Sequence, residues 1–264
     1  VWENDRRETR LIYLGIGLSY QGKSEAMPVV QNTTGFEYDL TKKIKKLIDT
    51  DLQSIGIAKF SKSKHTNQGI NQLLSESYNI KDIIMSSEVP SDIGVLIVNG
   101  ISDSLTTDEL KYLKNFIDDV GNILIGQSRV DVELNQQMGF FQGSNVQSNI
   151  FSLINDYGVS IEENLLLDKQ NGKINIPQQV SIFQTWASHD YPFFPTINSF
   201  SNDESIVSGL EKIQFHFCSE ILIDSSAVNV KPIMFTSRNS GTMSGYYNLY
   251  PNTESAQNPI LNNL

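Results

Sequence analysis

A single α/β domain on a mostly parallel, doubly wound sheet, followed by a strand-rich extension, is the fold class this sequence predicts. Three observations predict it. Strand-like and helix-like segments alternate through the first two-thirds of the 264 residues. The run Gly94-Val95-Leu96-Ile97-Val98 is continuously apolar, as a strand covered on both faces of a parallel sheet must be. A capped helix and a second apolar run follow it at once, which makes a β–α–β unit with a right-handed crossover.

The elements follow in order. Arg10 to Leu18 reads as a buried first strand, closed by glycines, with a polar loop to about Glu37. Asp39 to Asp49 reads as an amphipathic helix burying Leu40, Ile44, Leu47 and Ile48. Ser54 to Phe60 is a strand, Gly69 to Tyr78 a short helix, and Asn79 to Met85 a third strand. After the strand at Gly94–Val98, Thr106 and Glu109 have the spacing of a capping box. Leu110, Leu113, Phe116 and Ile117 are expected to face the sheet, and Gly121 to supply a left-handed cap. Asn122 to Gly126 returns as the parallel strand. A helix over Ser148 to Tyr157 ends at Gly158, and Leu165 to Leu167 is a short strand. Strands then follow at Val180–Thr185, Ile213–Phe217 and Pro232–Thr236. Residues 1–240 thus read as one domain, with its core over 10–170 and the extension over 171–240. Residues 241–264 read as an irregular tail.

Composition narrows the function. The net charge of −10 repels phosphate backbones, so no nucleic-acid partner is expected. The patch Lys42, Lys43, Lys45 and Lys46 is read as a solvated helix face. The single cysteine, Cys218, can form no intramolecular disulfide and no cysteine-based zinc site. It is read as a buried structural thiol. No apolar run approaches the ~20 residues of a membrane span, and the chain is expected to be a soluble segment of a longer protein.

One motif demands attention. Gly17-Leu18-Ser19-Tyr20-Gln21-Gly22-Lys23-Ser24 fits the phosphate-loop pattern. In such a loop the Lys and Ser begin a helix whose amides hold the phosphates. Pro28 and the β-branched and turn residues after it leave no helix there, so no nucleotide cofactor is expected. Gly15-Ile16-Gly17 lacks the third glycine of a dinucleotide fingerprint. His65, His189 and His216 are scattered, and no metal site is expected. An enzymatic alternative, amidotransferase-like or hydrolase-like, would rest on Cys218 or on His189 with Asp190.

The order of segments resembles the GldG-like auxiliary subunits of ABC transport systems. The resemblance is carried by Pro90 to Gly100, by Ser104-Leu105-Thr106 with Glu109-Leu110, and by Phe116-Ile117 with Gly121 to Ile125. It continues through Ile154 to Val159, Leu165 to Asp168, Tyr191 to Pro195, Gly209-Leu210-Glu211, Phe217 to Ile221, and Lys231 to Ser237. Asn122 stands where that family usually has a second glycine, and Gly126-Gln127-Ser128 where it has an aspartate. The resemblance implies a flavodoxin-like, class I glutamine amidotransferase-like sheet, also akin to an intraflagellar-transport domain. It implies a non-catalytic binding or structural domain, with an ABC permease and ATPase as partners and a link to gliding motility or export. It also implies an extracytoplasmic (periplasmic) position at the inner membrane, anchored through segments absent from this chain. A carbohydrate or other small-molecule ligand would sit at the carboxyl ends of the strands. The candidate residues there are Asn99, Gly100, Gln127, Ser128 and Arg129, with Arg129 the cation placed for a carboxylate or sugar acid.

Overall fold

The computed structural model describes residues 15–27, 35–48, 52–64, 68–119, 121–135, 140–180, 183–247 and 249. It begins with a hairpin, in which β1 (Ile16–Tyr20) pairs antiparallel with β2 (Lys23–Met27). Gln21 and Gly22 between them have φ of 47° and 82°, the two left-handed residues of a type I′ turn. This corrects the expected first strand of the parallel sheet and the polar loop after it. Residues 10–14 lie outside the described residues, and the remainder folds back on itself because a two-residue turn closes it. Helix α1 (Phe36–Ile48) follows. Of its expected apolar stripe only Leu47 is buried, while Ile44 and Ile48 are exposed. The lysine face is engaged in surface ion pairs, Lys42 with Glu76 at 2.6 Å and Lys43 and Lys46 with Glu25 at 3.3 and 2.7 Å.

The parallel sheet comes next. Its strands are β3 (Ser54–Lys59), β4 (Asn79–Ile84), β5 (Ile93–Asn99) and β6 (Asn122–Gly126), in the order β4-β3-β5-β6. Every pairing is parallel. Helix α2 (Gln68–Leu74) links β3 to β4, and α3 (Thr107–Asp118) links β5 to β6. Side chains along a strand alternate between faces, and both faces are packed. Ala58, Phe60, Leu96 and Val98 join the core formed with Leu113 of α3. Ile55, Ile57 and Ile97 meet Ile70 and Leu74 of α2 on the opposite face. Leu73, in contrast, is exposed.

Helix α3 is held at both ends. The Thr106 hydroxyl accepts from the Glu109 amide at 3.3 Å, and the Glu109 carboxylate accepts from the Thr106 amide at 2.8 Å. The same carboxylate accepts from the Ser61 amide at 2.6 Å. The helix start is thereby tied to the loop that leaves β3. At the other end the Gly121 amide donates to the Phe116 carbonyl at 2.9 Å. Gly121 is not the left-handed cap expected of it, since it is not among the glycines with positive φ. It is small for another reason: a Cβ there would lie 2.4 Å from the Phe116 oxygen.

The rest of the chain forms short antiparallel pairings around a second core. β7 (Val130–Asn135) pairs with β8 (Phe140–Asn145), and α4 (Ile150–Asp156) packs its Ile150, Phe151, Leu153 and Ile154 into the first core. Gly158, at φ 81°, closes α4 as expected. β9 (Val159–Ile161) and β10 (Leu165–Asp168) follow. β11 (Asn171–Val180) and β12 (Phe183–Ile197) form a long hairpin. The strand expected at Val180–Thr185 therefore straddles its turn, whose residues 181–182 lie outside the described residues. β13 (Ser199–Phe200), β14 (Ile213–Gln214), β15 (Ile221–Ile223), β16 (Met234–Phe235) and β17 (Ser240–Met243) complete the chain. β14, β15, β16 and β17 pair with β12, β9, β13 and β10 respectively.

The second core holds Val130, Leu165 and Leu167 together with Tyr191, Phe193, Phe194, Met243, Tyr247 and Leu249. It reaches across residues 170 and 240. A division at residue 170 would cut through this core. Residues after 240 are not irregular throughout, because β17 pairs with β10 and Leu249 is fully buried.

Removing the hydroxyl in Thr106→Ala should lower stability by about 1 kcal/mol, measurable by urea unfolding. Burial alone would raise the Glu109 carboxyl, but the hydrogen bonds from Ser61 and Thr106 outweigh it and leave it below the ordinary 4.5. A lowered carboxyl stabilises the fold above its unfolded value, and that contribution disappears as pH falls through the folded value. The stability gap between wild type and Glu109→Gln should therefore be widest at neutral pH and shrink below about pH 4. A gap that did not change with pH would contradict the assignment.

Candidate functional site

The carboxyl ends of β5 and β6 open onto a cleft of about 450 Å³. Gly100, Ile101 and Ser102 after β5, and Gly126, Gln127 and Ser128 at the end of β6, form one wall. Asp131 and Val132 of β7 form a second, and the segment Phe215 to Ser219 crosses opposite. Three of the five expected residues, Gly100, Gln127 and Ser128, are thus brought together. Gly100 has φ 67°, the left-handed turn that lets the chain leave β5 along the rim.

The polar side chains of this cleft largely bind one another. The Gln127 side chain accepts from the Ile101 amide at 2.9 Å and donates to the Ile101 carbonyl at 3.0 Å. The Ser128 and Ser219 hydroxyls are 3.0 Å apart, and the Ser219 oxygen also accepts from the Arg129 amide at 3.0 Å. Asn99 and Arg129 are not among the lining residues. For Arg129 the reason is plain. Its Nη2 donates to Glu163 at 2.9 Å, its Nη1 donates to the Ile161 carbonyl at 3.1 Å, and its guanidinium lies 4.7 Å over the Phe151 ring. Glu163 also accepts from Asn145 and Gln147. The arginine therefore ties the β9 end and α4 to the rim and is not presented as a ligand cation.

Sequence reasoning did not place the Phe215–Ser219 segment at this rim. It expected a strand to Phe217; the regular strand ends at Gln214, and the Phe215 and Phe217 amides still donate to the Pro195 and Phe193 carbonyls of β12 at 2.9 and 3.0 Å. Phe217 then turns left-handed at φ 52°, a conformation that costs a non-glycine residue about 1 kcal/mol or more. Its ring is locked against Tyr191, Phe193 and Phe194 at centroid distances of 6.0, 6.4 and 5.2 Å. No local pattern announces such a turn at a phenylalanine. Its cause lies in aromatic residues more than twenty positions earlier.

Cys218 and His216 both line the cleft. Burial, with the Asp168 carboxylate adding to it and only its own backbone hydrogen bond opposing, pushes the Cys218 thiol up to about 11. His216 shares a 2.8 Å hydrogen bond with Gln214, and its ring lies 4.2 Å from that of Phe194. His189 and Asp190 are neighbours on β12, so their side chains leave on opposite faces of the ribbon. Asp190 meets Lys173 at 3.7 Å. Lys23 and Ser24 of the phosphate-loop match begin a strand, not a helix. His65 lies outside the described residues. Among the described residues no group of three or more His, Cys, Asp and Glu is placed to hold a metal ion. No helix among them is long and apolar enough to cross a membrane.

Comparison with known proteins gives the following. An uncharacterized protein of Borreliella burgdorferi is 27% identical over 183 residues, a stretch covering 66% of this chain and 36% of that protein. The chain thus spans little more than a third of that relative. Among solved structures, the N-terminal domain of mmIFT52 is similar at a TM-score of 0.46 and 16% identity, over 70% of this chain and 74% of that one. Residues 51–263 match the family described as an ABC-type uncharacterized transport system. That match covers most of the chain, and the chain belongs to this auxiliary family of ABC-type transport systems.

Proposed function

We propose that this chain is a non-catalytic accessory domain of an ABC transport system, of GldG-like type, and that its rim cleft is a recognition site. One observation carries the reading. The cleft sits where an open parallel sheet presents its ligands, yet its thiol is held protonated and its Gln127, Ser128 and Ser219 side chains are engaged with the protein itself. A catalytic cysteine needs the reverse, a thiol lowered by a neighbouring cation or helix end. The strand order β4-β3-β5-β6, renumbered by appearance, runs 2-1-3-4. That order supports a doubly wound, flavodoxin-like sheet.

The lining of small hydroxyls, an amide, the Phe215 and Phe217 segment, and Asp131 with its carboxylate paired to Lys64 at 3.2 Å, suits a small neutral polar ligand, a carbohydrate included. The permease and ATPase of the system are the proposed partners, with the domain on the extracytoplasmic side and anchored through segments outside this chain. Gliding motility or export is the proposed setting. Family membership supports the transporter association, and the GldG-like order of sequence segments supports the remainder.

Thiol alkylation tests the non-catalytic reading. A shift from the ordinary 9.0 to about 11 leaves about 100-fold less thiolate at neutral pH. Iodoacetamide should therefore label Cys218 about 100-fold more slowly at pH 7.5 than it labels a free thiol, with the rate still climbing above pH 10. A rate that levels off near neutrality would revive the enzymatic alternative. A second measurement addresses the cleft. Gln127→Ala should weaken binding of any saccharide found by calorimetric screening, whereas Lys23→Ala should leave it unchanged.

A further inference from the structure

Strand β15 lies at the edge of its sheet, paired with β9 on one side. Just beyond the ends of this pairing, the Glu162 amide donates to the Glu220 carbonyl and the Asp224 amide to the Gly158 carbonyl, both at 2.9 Å. Such bonds alternate along an antiparallel ladder, so residues 220, 222 and 224 turn their backbone groups toward β9. Ile221 and Ile223 turn theirs outward, and among the described residues no strand meets them. The side chains are also in water, Ile221 to 61%, Leu222 to 48% and Ile223 to 37%. An open apolar edge is a template for another strand. The parallel sheet protects its own edge: β4 carries Lys81 and Asp82, ion-paired to Asp92 and Lys59 respectively. β15 has no charge and no proline within it.

Charge identifies the occupant. Side chains two positions apart share a face, so Glu220, Leu222 and Asp224 lie together, with Glu162 across the ladder from Glu220. Like charges directly opposite destabilise a strand pair. Here only neutral donors relieve them. The Glu220 carboxylate accepts from Asn164 at 3.1 Å, that of Glu162 from Ser160 at 2.5 Å, and that of Asp224 from the Ser226 amide and hydroxyl at 2.8 and 2.9 Å. Among the described residues none of the three is ion-paired, and Arg129 is committed to Glu163.

We propose that the outer edge of β15 receives an extended segment of a partner protein as an antiparallel strand, and that this segment carries a basic residue at each end of three aliphatic ones. The basic residues stand opposite Glu220 and Asp224, and the aliphatic ones opposite Ile221, Leu222 and Ile223. Backbone hydrogen bonds supply the affinity and the carboxylates select the partner. Nowhere in this sequence do three aliphatic residues lie between two basic ones, so the occupant is a different protein and not a second copy.

Fluorescence anisotropy of the full 264-residue chain with the labelled peptide Gly-Lys-Val-Val-Val-Lys-Gly tests this. Saturable binding is expected, with a Kd below about 1 mM. Replacing both lysines by glutamate should weaken it at least about tenfold. N-methylation distinguishes strand pairing from adhesion. In an antiparallel strand the first and third valines aim their amides at β15 and the central one does not. Methylating the first valine amide should weaken binding about tenfold, while methylating the central one should change it by less than about twofold. Glu220→Gln keeps the acceptor for Asn164 and should weaken binding of the lysine peptide about threefold. Absence of saturation, equal effects of the two methylations, or equal affinity for the lysine and glutamate peptides would overturn the proposal.

Discussion

Strand β5 buries Leu96 and Val98 on one face of the sheet and Ile97 on the other, and the whole arrangement is built outward from that double burial. A strand with one solvated face has its register set by polarity. A strand that is dry on both faces has no such guide, and its register must be set by volume. Gly56 on β3 provides this. A Cβ at that position would lie 2.8 Å from Ile83 and 3.0 Å from both Ile93 and Leu96. Three bulky side chains on two neighbouring strands therefore close over a residue that has none. A one-residue slip of β5 would bring a side chain into that space and open a void beside it.

Around this sheet the loops are fixed by side chains that satisfy backbone groups of distant segments. Glu109 reaches the Ser61 amide, Gln127 the backbone of Ile101, and Ser219 the Arg129 amide. Asp168, fully buried, accepts from the Ser237 amide at 2.8 Å and its hydroxyl at 2.5 Å, and from the Gln170 amide at 2.8 Å. A buried carboxylate is tolerated only when its lone pairs are filled in this way. Glu109 and Gln127 fix loops around the first core and Asp168 a loop beside the second, and their loss would leave backbone donors unpaired.

The two halves differ in how legible they were. The β5–α3–β6 unit was readable almost residue by residue, because each determinant is local. The apolar run, the Thr106–Glu109 spacing and the return strand all lie within about thirty positions, and each signal reports a neighbour in the chain. The phosphate-loop match was set aside from Pro28 and the β-branched and turn residues after it, and the hairpin that occupies its place was not foreseen. Failures concentrate where the determinant is remote. Ser240–Met243 carries turn-like residues and becomes a strand only because β10 offers it an edge. Phe217 turns left-handed because three aromatic rings hold it. In the candidate site, Gly100, Gln127 and Ser128 followed from the rule about carboxyl ends of parallel strands. Arg129 did not, because its carboxylate partner Glu163 stands 34 positions away.

The rim cleft is where these long-range determinants converge, and its character follows from that. One wall belongs to the ends of β5 and β6, and the other to the segment between β14 and β15, which hangs from the aromatic residues of the second core. A ligand seated between them would touch elements of both cores. Its binding free energy would therefore add to the contacts, such as Ser128 with Ser219, that hold the crossing segment on the rim. An enzyme built on such a sheet uses the rim to aim a reactive group at a substrate. Here the same position holds a protonated thiol and hydroxyls that bond to each other across 91 residues of chain. That arrangement suits the proposed recognition role, in which a bound ligand would bridge the two cores, better than it suits hydrolytic chemistry.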